Sequence, residues 1–235
     1  MFRGHYVGWT ESRFRGLMKY INKDYFFGKT VLELGAGHGH NGNEMSELGA
    51  IVTSSDASSD HIHNLNKLYP HIKTKIIDAV NDKIGEKFDV ILHWGLLYHL
   101  SEIESHLKNV CENCNLLLLE TEVSDSYDNS FYITTDENGY DQAFNKKGIR
   151  PSPKYVEKIL QNNGFNYFMV KDGILNYDIH NYDWETTDSK MWKHGLRRFW
   201  ICWKGIESPI NTINTINTIN TINTINTINT INTLV

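Results

Sequence analysis

The chain has 235 residues, 40% hydrophobic and 22% charged, enough to enclose one sizeable core. Its net charge of −5 argues against a broad nonspecific nucleic-acid surface, and no apolar run approaches the length of a membrane span. Three cysteines suit a disulfide framework poorly, and Met1-Phe2-Arg3-Gly4-His5 lacks an apolar leader, which together predict a cytoplasmic chain.

Residues 1–28 read as an N-terminal helical cap. Trp9, Phe14, Leu17, Met18 and Ile21 make a helical stripe between Tyr6 and Ile21, with Arg13 and Arg15 expected in solvent and anion binding as their alternative. Gly28 leads into an apolar strand, Val31-Leu32-Glu33-Leu34, and then a turn, Gly35-Ala36-Gly37-His38-Gly39, with glycines at alternate positions. Glycine suits such a turn because it tolerates positive φ and lets a ligand lie against bare backbone. The free N–H groups of the following helix, placed over Asn43 to Leu48, then face that ligand. Gly37-His38-Gly39-His40-Asn41-Gly42 also fits the G-x-G-x-x-G pattern of dinucleotide-binding folds, so an NAD-linked oxidoreductase is one reading. Glu33, two residues before the first glycine, favours a cationic group over a pyrophosphate.

Ala50 to Ser54 reads as a second strand, with Asp56 beyond its end and seventeen residues after Gly39. A carboxylate there can accept hydrogen bonds from ribose hydroxyls; capping the helix predicted over Ser58–Leu68 is its alternative role. Pro70 ends that helix, and Ile72 to Ile77 forms a third strand followed by Asp78-Ala79-Val80. An acid at this place suits the exocyclic amine of adenine, and Ala79 and Val80 suit the faces of the ring. Phe88 to Trp94 is almost continuously apolar, as a buried parallel strand should be, and runs into Gly95-Leu96-Leu97-Tyr98-His99. A helix over Ser101–Asn109 and a strand over Asn115–Thr121 follow. A helix from Pro153 to Asn162 with Ser152 as cap, and strands over Phe165–Lys171 and Arg197–Lys204, complete the series. The alternation predicts one α/β domain over residues 29–205 built on a parallel sheet. Two long connections, Glu122 to Arg150 and Asp172 to Leu196, carry eight aromatic residues from Tyr127 to Trp192. They read either as a substrate lid or as loops packed on themselves.

From Ile210 to Thr233 the triplet Ile-Asn-Thr repeats without variation. A period of three fits neither an amphipathic helix nor an alternating strand, so residues 206–235 are expected to be an unpacked low-complexity tail. Cys111 and Cys114 have C-x-x-C spacing without a second pair, and His38-x-His40 and His61-x-His63 lie where helices begin or run. No metal site is expected.

The run from Glu33 to Gly39 resembles the acid-x-Gly-x-Gly-x-Gly first motif of class I S-adenosylmethionine (SAM) methyltransferases. The resemblance implies a Rossmann-like α/β fold whose seven-stranded sheet is mostly parallel, with an antiparallel last strand inserted between strands five and six and helices on both faces. It implies SAM as cofactor. Gly35, Ala36, Gly37 and Gly39 would cradle it, Glu33 would face the methionine ammonium, Asp56 would bind ribose, and Asp78 and Ala79 would bind adenine. Acids at three successive strand ends suit an ammonium, a ribose and an adenine amine, and would crowd a dinucleotide's phosphates. In this fold the segment after strand four lies next to the methyl group, which brings His93, Tyr98 and His99 into consideration. His99 is the best potential base, because an unperturbed imidazole titrates near neutrality; packing at the start of the next helix is its alternative. Gly95 to His99, Leu119-Glu120-Thr121-Glu122-Val123, Arg150-Pro151-Ser152 and Asn163-Gly164-Phe165 together resemble the tRNA wobble-uridine carboxymethyltransferase and its relatives. In that family the tyrosine of the Gly-x-Leu-Tyr-His run contacts the transferred group, a role that carries over to Tyr98. The expected acceptor is a small molecule or sugar hydroxyl, with RNA as the alternative and a non-catalytic SAM-binding module as a third reading.

Overall fold

The computed structural model describes residues 2–139, 143, 146–182 and 184–211. In chain order the elements are α1 (Phe2–Met18), β1 (Thr30–Leu34), α2 (His40–Glu47), β2 (Ile51–Asp56), α3 (Ser59–Leu68), β3 (Lys73–Ile76) and β4 (Phe88–Trp94). There follow α4 (Ile103–Glu112), β5 (Cys114–Ser124), β6 (Tyr132–Asp136), β7 (Lys147–Pro151), α5 (Pro153–Asn162), β8 (Phe165–Met169), β9 (Asn181–Tyr182) and β10 (Trp192–Lys204).

The main sheet runs β3-β2-β1-β4-β5-β10-β8. Pairs from β3 to β5 are parallel, whereas β10 is antiparallel to both β5 and β8, with Trp200 opposite Leu119 on one side and Met169 on the other. The last strand therefore sits where the resemblance placed it. Two-residue β9 adds an eighth strand, pairing with β10 at Leu196 and Arg197. Strand order reverses at β1, flanked by β2 and β4, so a crevice opens at the carboxyl ends of these strands.

Side chains alternate across each strand and feed two cores. Val31, Val90, Leu92, Trp94, Leu116, Leu118, Phe199 and Ile201 pack on one face with α1, α2 and α3 through Phe14, Leu17, Met45 and Leu65. Leu32, Leu34, Ile91, Leu117, Leu119, Trp200 and Cys202 pack on the other with α4 and α5 through Leu107, Val110, Val156 and Leu160. Ser152 caps α5 by accepting from the Tyr155 N–H at 3.0 Å, with Pro153 in the first turn, as expected from sequence.

The strands at the acceptor end run further than the apolar pattern indicated. β5 continues through Glu120 and Glu122 to Ser124, and β10 begins at Trp192 with an irregularity before Arg197. Glu120, Glu122 and Arg197 are buried and paired across the two strands, which carries β5 past Thr121, where the prediction ended it. Within the first long connection β6 and β7 form a separate hairpin. In the second, the ring of Tyr177 packs against Gly8 of α1 and Tyr182 is buried, whereas Tyr127 stays 59% exposed. Tyr140 lies outside the described residues, as does the repeat from residue 212 onward. The first repeat pair is not loose: Ile210 packs on the α1 side of the core and the Asn211 N–H donates to the Tyr20 carbonyl at 2.7 Å. Among the described residues no helix is long and apolar enough to cross a membrane.

β7 is held close over the turn that follows β4. A methyl group on Gly148 would lie 2.3 Å from the Tyr98 carbonyl oxygen and 2.8 Å from Glu137 Oε1. Gly148→Ala should therefore push the hairpin off this turn, costing about 1–3 kcal/mol in urea unfolding. Proteolytic cleavage within the β6–β7 connection should become faster.

Candidate active site

The glycine turn joins β1 to α2. Gly39, the residue before α2, has φ +77°, and a methyl group there would lie 2.7 Å from Leu65 of α3, so helix approach and backbone shape both demand glycine. Gly37 has φ +51° and nothing within 4 Å of the position a Cβ would take, which leaves a bare face toward the crevice. The turn is tied to β2 by the Ala36 N–H on the Ser55 carbonyl at 2.8 Å and by the Gly37 N–H on Asp56 Oδ2 at 2.9 Å. The other oxygen of Asp56 accepts from the Ser58 N–H at 2.9 Å and from His61 Nδ1 at 3.2 Å. Burial raises the Asp56 pKa, but the hydrogen bonds from His61, Ser58 and Gly37 outweigh it and leave the carboxylate below its ordinary value. It is an anion fixed beside the bare backbone; the capping considered for it falls to Ser58, whose Oγ accepts from the His61 N–H, while Asp56 bonds the Ser58 N–H just ahead of α3.

Glu33 lies deeper. It is 2% exposed and tucked under α2, where a Cβ on Gly42 would collide with its Oε2 at 2.4 Å. Oε2 accepts from Ser54 Oγ at 2.6 Å. Burial pushes the Glu33 carboxyl up to about 7 against the hydrogen bonds from Ser54, Asn41 and Gly42. Glu33 thus meets the crevice through Asn41, whose Oδ1 accepts from Thr10 Oγ1 at 2.9 Å and Arg13 Nη2 at 3.1 Å. Asp78 lies two residues past β3, half-buried, and its oxygens accept from the Val80 N–H at 2.9 Å and Asn81 Nδ2 at 2.7 Å, closing its own turn.

His93 does not reach the crevice, contrary to expectation. Val90, Leu92 and Trp94 face α1, so His93 faces α4, fully buried, with Nε2 2.7 Å from Nε2 of His106. The other ring nitrogen of His106 lies 2.8 Å from the Ala79 carbonyl. A carbonyl only accepts, so His106 Nδ1 carries the proton, and in the neutral pair His93 Nε2–H donates to His106 Nε2. Ala79 is thereby bound through its carbonyl to the core.

The segment that carries Tyr98 and His99 meets the glycine turn through Leu96, which packs within 2.9 Å of the Cβ position of Gly35. Tyr98 is buried, which pushes its phenol up to about 12, and its oxygen accepts from Arg197 Nη2 at 3.0 Å. It is therefore a hydrogen-bond donor at neutral pH. His99 Nδ1 pairs with Glu137, whose other oxygen pairs with Arg150.

Behind them runs a chain of buried charges that the sequence reading missed. Arg150 Nε meets Glu122 at 2.7 Å, and Arg197 meets Glu122 at 3.2 Å and Glu120 at 2.8 Å. Arg13 reaches Glu120 at 3.5 Å. Arg13 was expected in solvent but is 3% exposed, with its guanidinium 3.9 Å from the Trp9 ring centre; Arg15 is exposed as expected. Trp9 and Arg13 are four residues apart and share one helix face, a spacing that points to this placement. Gly95, with φ +75°, is packed under Glu120, Trp9 and Arg13, which lie in ordinary van der Waals contact, 3.8–3.9 Å, with its Cβ position. Bare backbone at Gly37 and a fixed anion at Asp56 fit a nucleoside.

The profile of the methyltransferase domain family matches residues 9–169. The chain belongs to that family. Ubiquinone biosynthesis O-methyltransferases from Chelativorans sp. (strain BNC1) and Glaesserella parasuis serovar 5 (strain SH0165) are each 31% identical to it, over 93 and 121 residues. These matches cover 37% and 44% of this chain and 36% and 50% of the relatives, so the chain spans between about a third and half of their length. The N-terminal domain of EvdMO1, solved in the presence of S-adenosylhomocysteine (SAH) and D-fucose, superposes with a TM-score of 0.62 at 14% identity. That match covers 86% of this chain and 84% of the other. Magnesium protoporphyrin IX methyltransferase from Synechocystis PCC 6803 with bound SAM gives 0.51 at 15% identity, covering 85% and 76%. The architecture is thus the Rossmann-like methyltransferase fold, and the dinucleotide reading of the glycine turn gives way to it. These relatives do not single out the wobble-uridine branch.

The buried histidine pair makes stability depend on pH. Burial pushes His106 down to about 4 and His93 well below its ordinary value, so the folded state binds fewer protons than the unfolded chain between those values and 6.5. The contribution is intact above pH 6.5 and is lost as pH falls toward 4, on the order of 3 kcal/mol for His106. Burial of Glu33 works in the opposite sense between pH 7 and 4.5. Urea unfolding at stepped pH should show the histidine component, and His106→Asn should remove the His106 share while leaving that of buried His93.

Proposed function

We propose that this protein is a SAM-dependent methyltransferase that methylates a hydroxyl of a small organic acceptor. Residues 29–205 carry the chemistry and the first 28 cap the crevice. The observation that carries the hydroxyl assignment is the His99–Glu137 pair beside the protonated phenol of Tyr98, at the turn flanking Gly35. The O-methyltransferase relatives support it, although they match over only part of their length.

The roles follow from what each group can donate or accept. Asp56, held at the edge of the turn, receives the ribose hydroxyls, and the face of Gly37 takes the backbone-close part of the nucleoside. Arg13, beside Asn41 and the Gly95 backbone, is assigned to the carboxylate of the methionine tail. Glu33 sets the first turn of α2 through Asn41 and balances the ammonium from beneath. Ala79 and Asp78 line the adenine side. SAM, when bound, supplies an electrophilic methyl group on a sulfonium. Tyr98 donates a hydrogen bond that positions the acceptor oxygen. Glu137 accepts a hydrogen bond from the Nδ1–H of His99, which fixes the tautomer and leaves Nε2 as the atom that removes the hydroxyl proton during attack. The hairpin and Trp9 exclude water from this space.

Calorimetry with SAH tests the cofactor reading: Asp56→Ala should weaken binding at least tenfold, the loss of hydrogen bonds to a charged acceptor. Unchanged affinity would remove Asp56 from the site. Tritiated SAM offered to extracts divided into small molecules, RNA and protein should label the first fraction. Label in RNA alone would overturn the small-molecule assignment, and cofactor binding without any label would point to a binding module. With the labelled acceptor, His99→Gln should lower kcat by ~100-fold or more with KM for SAM unchanged.

A further inference from the structure

We propose that His61 is a positioning residue for the ribose-binding carboxylate, holding Asp56 in the orientation in which it reads the diol. The proposal rests on the reading of Asp56 given above. Asp56 has three donors among the described residues: the backbone N–H groups of Gly37 and Ser58, and the ring of His61. His61 is the one side chain in that set. A carboxylate accepts only, so His61 Nδ1 carries a proton and donates to Oδ1 at 3.2 Å.

The ring is delivered by a local arrangement in the chain itself. Ser58 caps α3, and its Oγ accepts from the His61 N–H at 3.4 Å. Asp56, in turn, receives the Ser58 N–H. The segment Asp56-Ala57-Ser58-Ser59-Asp60-His61 therefore closes on itself, with side chain and backbone of the last residue each bonded to an earlier one. Across the ring stands His38 of the glycine turn, with centres 6.2 Å apart, while His40 is engaged with the Tyr69 hydroxyl at 2.8 Å. His61 thus stands beside both Asp56 and the glycine turn, at the edge assigned above to ribose.

The two backbone donors hold one oxygen each, Gly37 on Oδ2 and Ser58 on Oδ1. The imidazole adds a second restraint on Oδ1, so the lone pair of Oδ2 not used by Gly37 keeps a fixed direction. A pre-oriented acceptor binds a diol more tightly than one that must be ordered on binding. The effect is specific to the hydroxyls and does not extend to adenine or the methionine tail.

A binding cycle reads this directly. Calorimetry compares SAH with its analogue lacking both ribose hydroxyls, on the full chain and on His61→Ala, His61→Asn and Asp56→Ala. His61→Ala should weaken SAH roughly fivefold, the worth of one hydrogen bond, and leave the dideoxy analogue unchanged. His61→Asn, whose amide nitrogen stands near the place of Nδ1, should restore SAH binding to within about twofold. Equal weakening of both ligands by His61→Ala would show a merely structural role and overturn the proposal, as would no weakening of either. If Asp56→Ala weakens SAH while His61→Ala does not, the inference about His61 alone fails. If neither does, the ribose reading of Asp56 fails with it.

Discussion

The acceptor half of the molecule depends on one line of buried charges in which sign alternates. Glu137, Arg150, Glu122, Arg197, Glu120 and Arg13 follow one another, each within ion-pair distance of the next. Moving an ion out of water costs several kcal/mol, and breaking a buried pair leaves that cost uncompensated. Alternation lets each interior group serve two neighbours, so the line tolerates burial only when complete. It runs through β7, β5, β10 and α1, and Tyr98 hangs from it by Arg197. The distance from the helical cap to the hairpin is thus set by charge pairing at the rim, while the apolar cores set the sheet beneath.

Local features of the sequence disclosed most of the sheet and its glycine turn. Apolar runs bounded by turn residues marked the strands, and the spacing of Gly35, Gly37 and Gly39 marked the turn between β1 and α2. The charge line was hidden because its members lie far apart in the chain: Arg197 is 77 residues from Glu120. Glu122 follows the apolar run and so fell outside the strand predicted to end at Thr121. Buried acids in a strand are intelligible only once a guanidinium is known to stand opposite, and that knowledge comes from register.

Two misplacements were legible in principle. Side chains alternate across a strand, and Trp94 on the α1 face sends His93 to the α4 face. Arg13 lies one helical turn beyond Trp9 on the buried stripe of α1, which argues against solvent. In both cases residue chemistry suggested one place and periodicity another, and periodicity decided.

The insertion of β10 between β5 and β8 has a bearing on biosynthesis. Arg197, which neutralises two acids of β5, arrives on the last strand of the sheet to be made. Until that strand has cleared the ribosome, Glu120 lacks Arg197, Tyr98 lacks the donor to its phenol oxygen, and β8 has no neighbour to join it to the sheet. A nascent chain halted before Arg197 holds every residue of the glycine turn but not the partner that completes the charge line, so the two ends of the crevice are supplied at different points of translation.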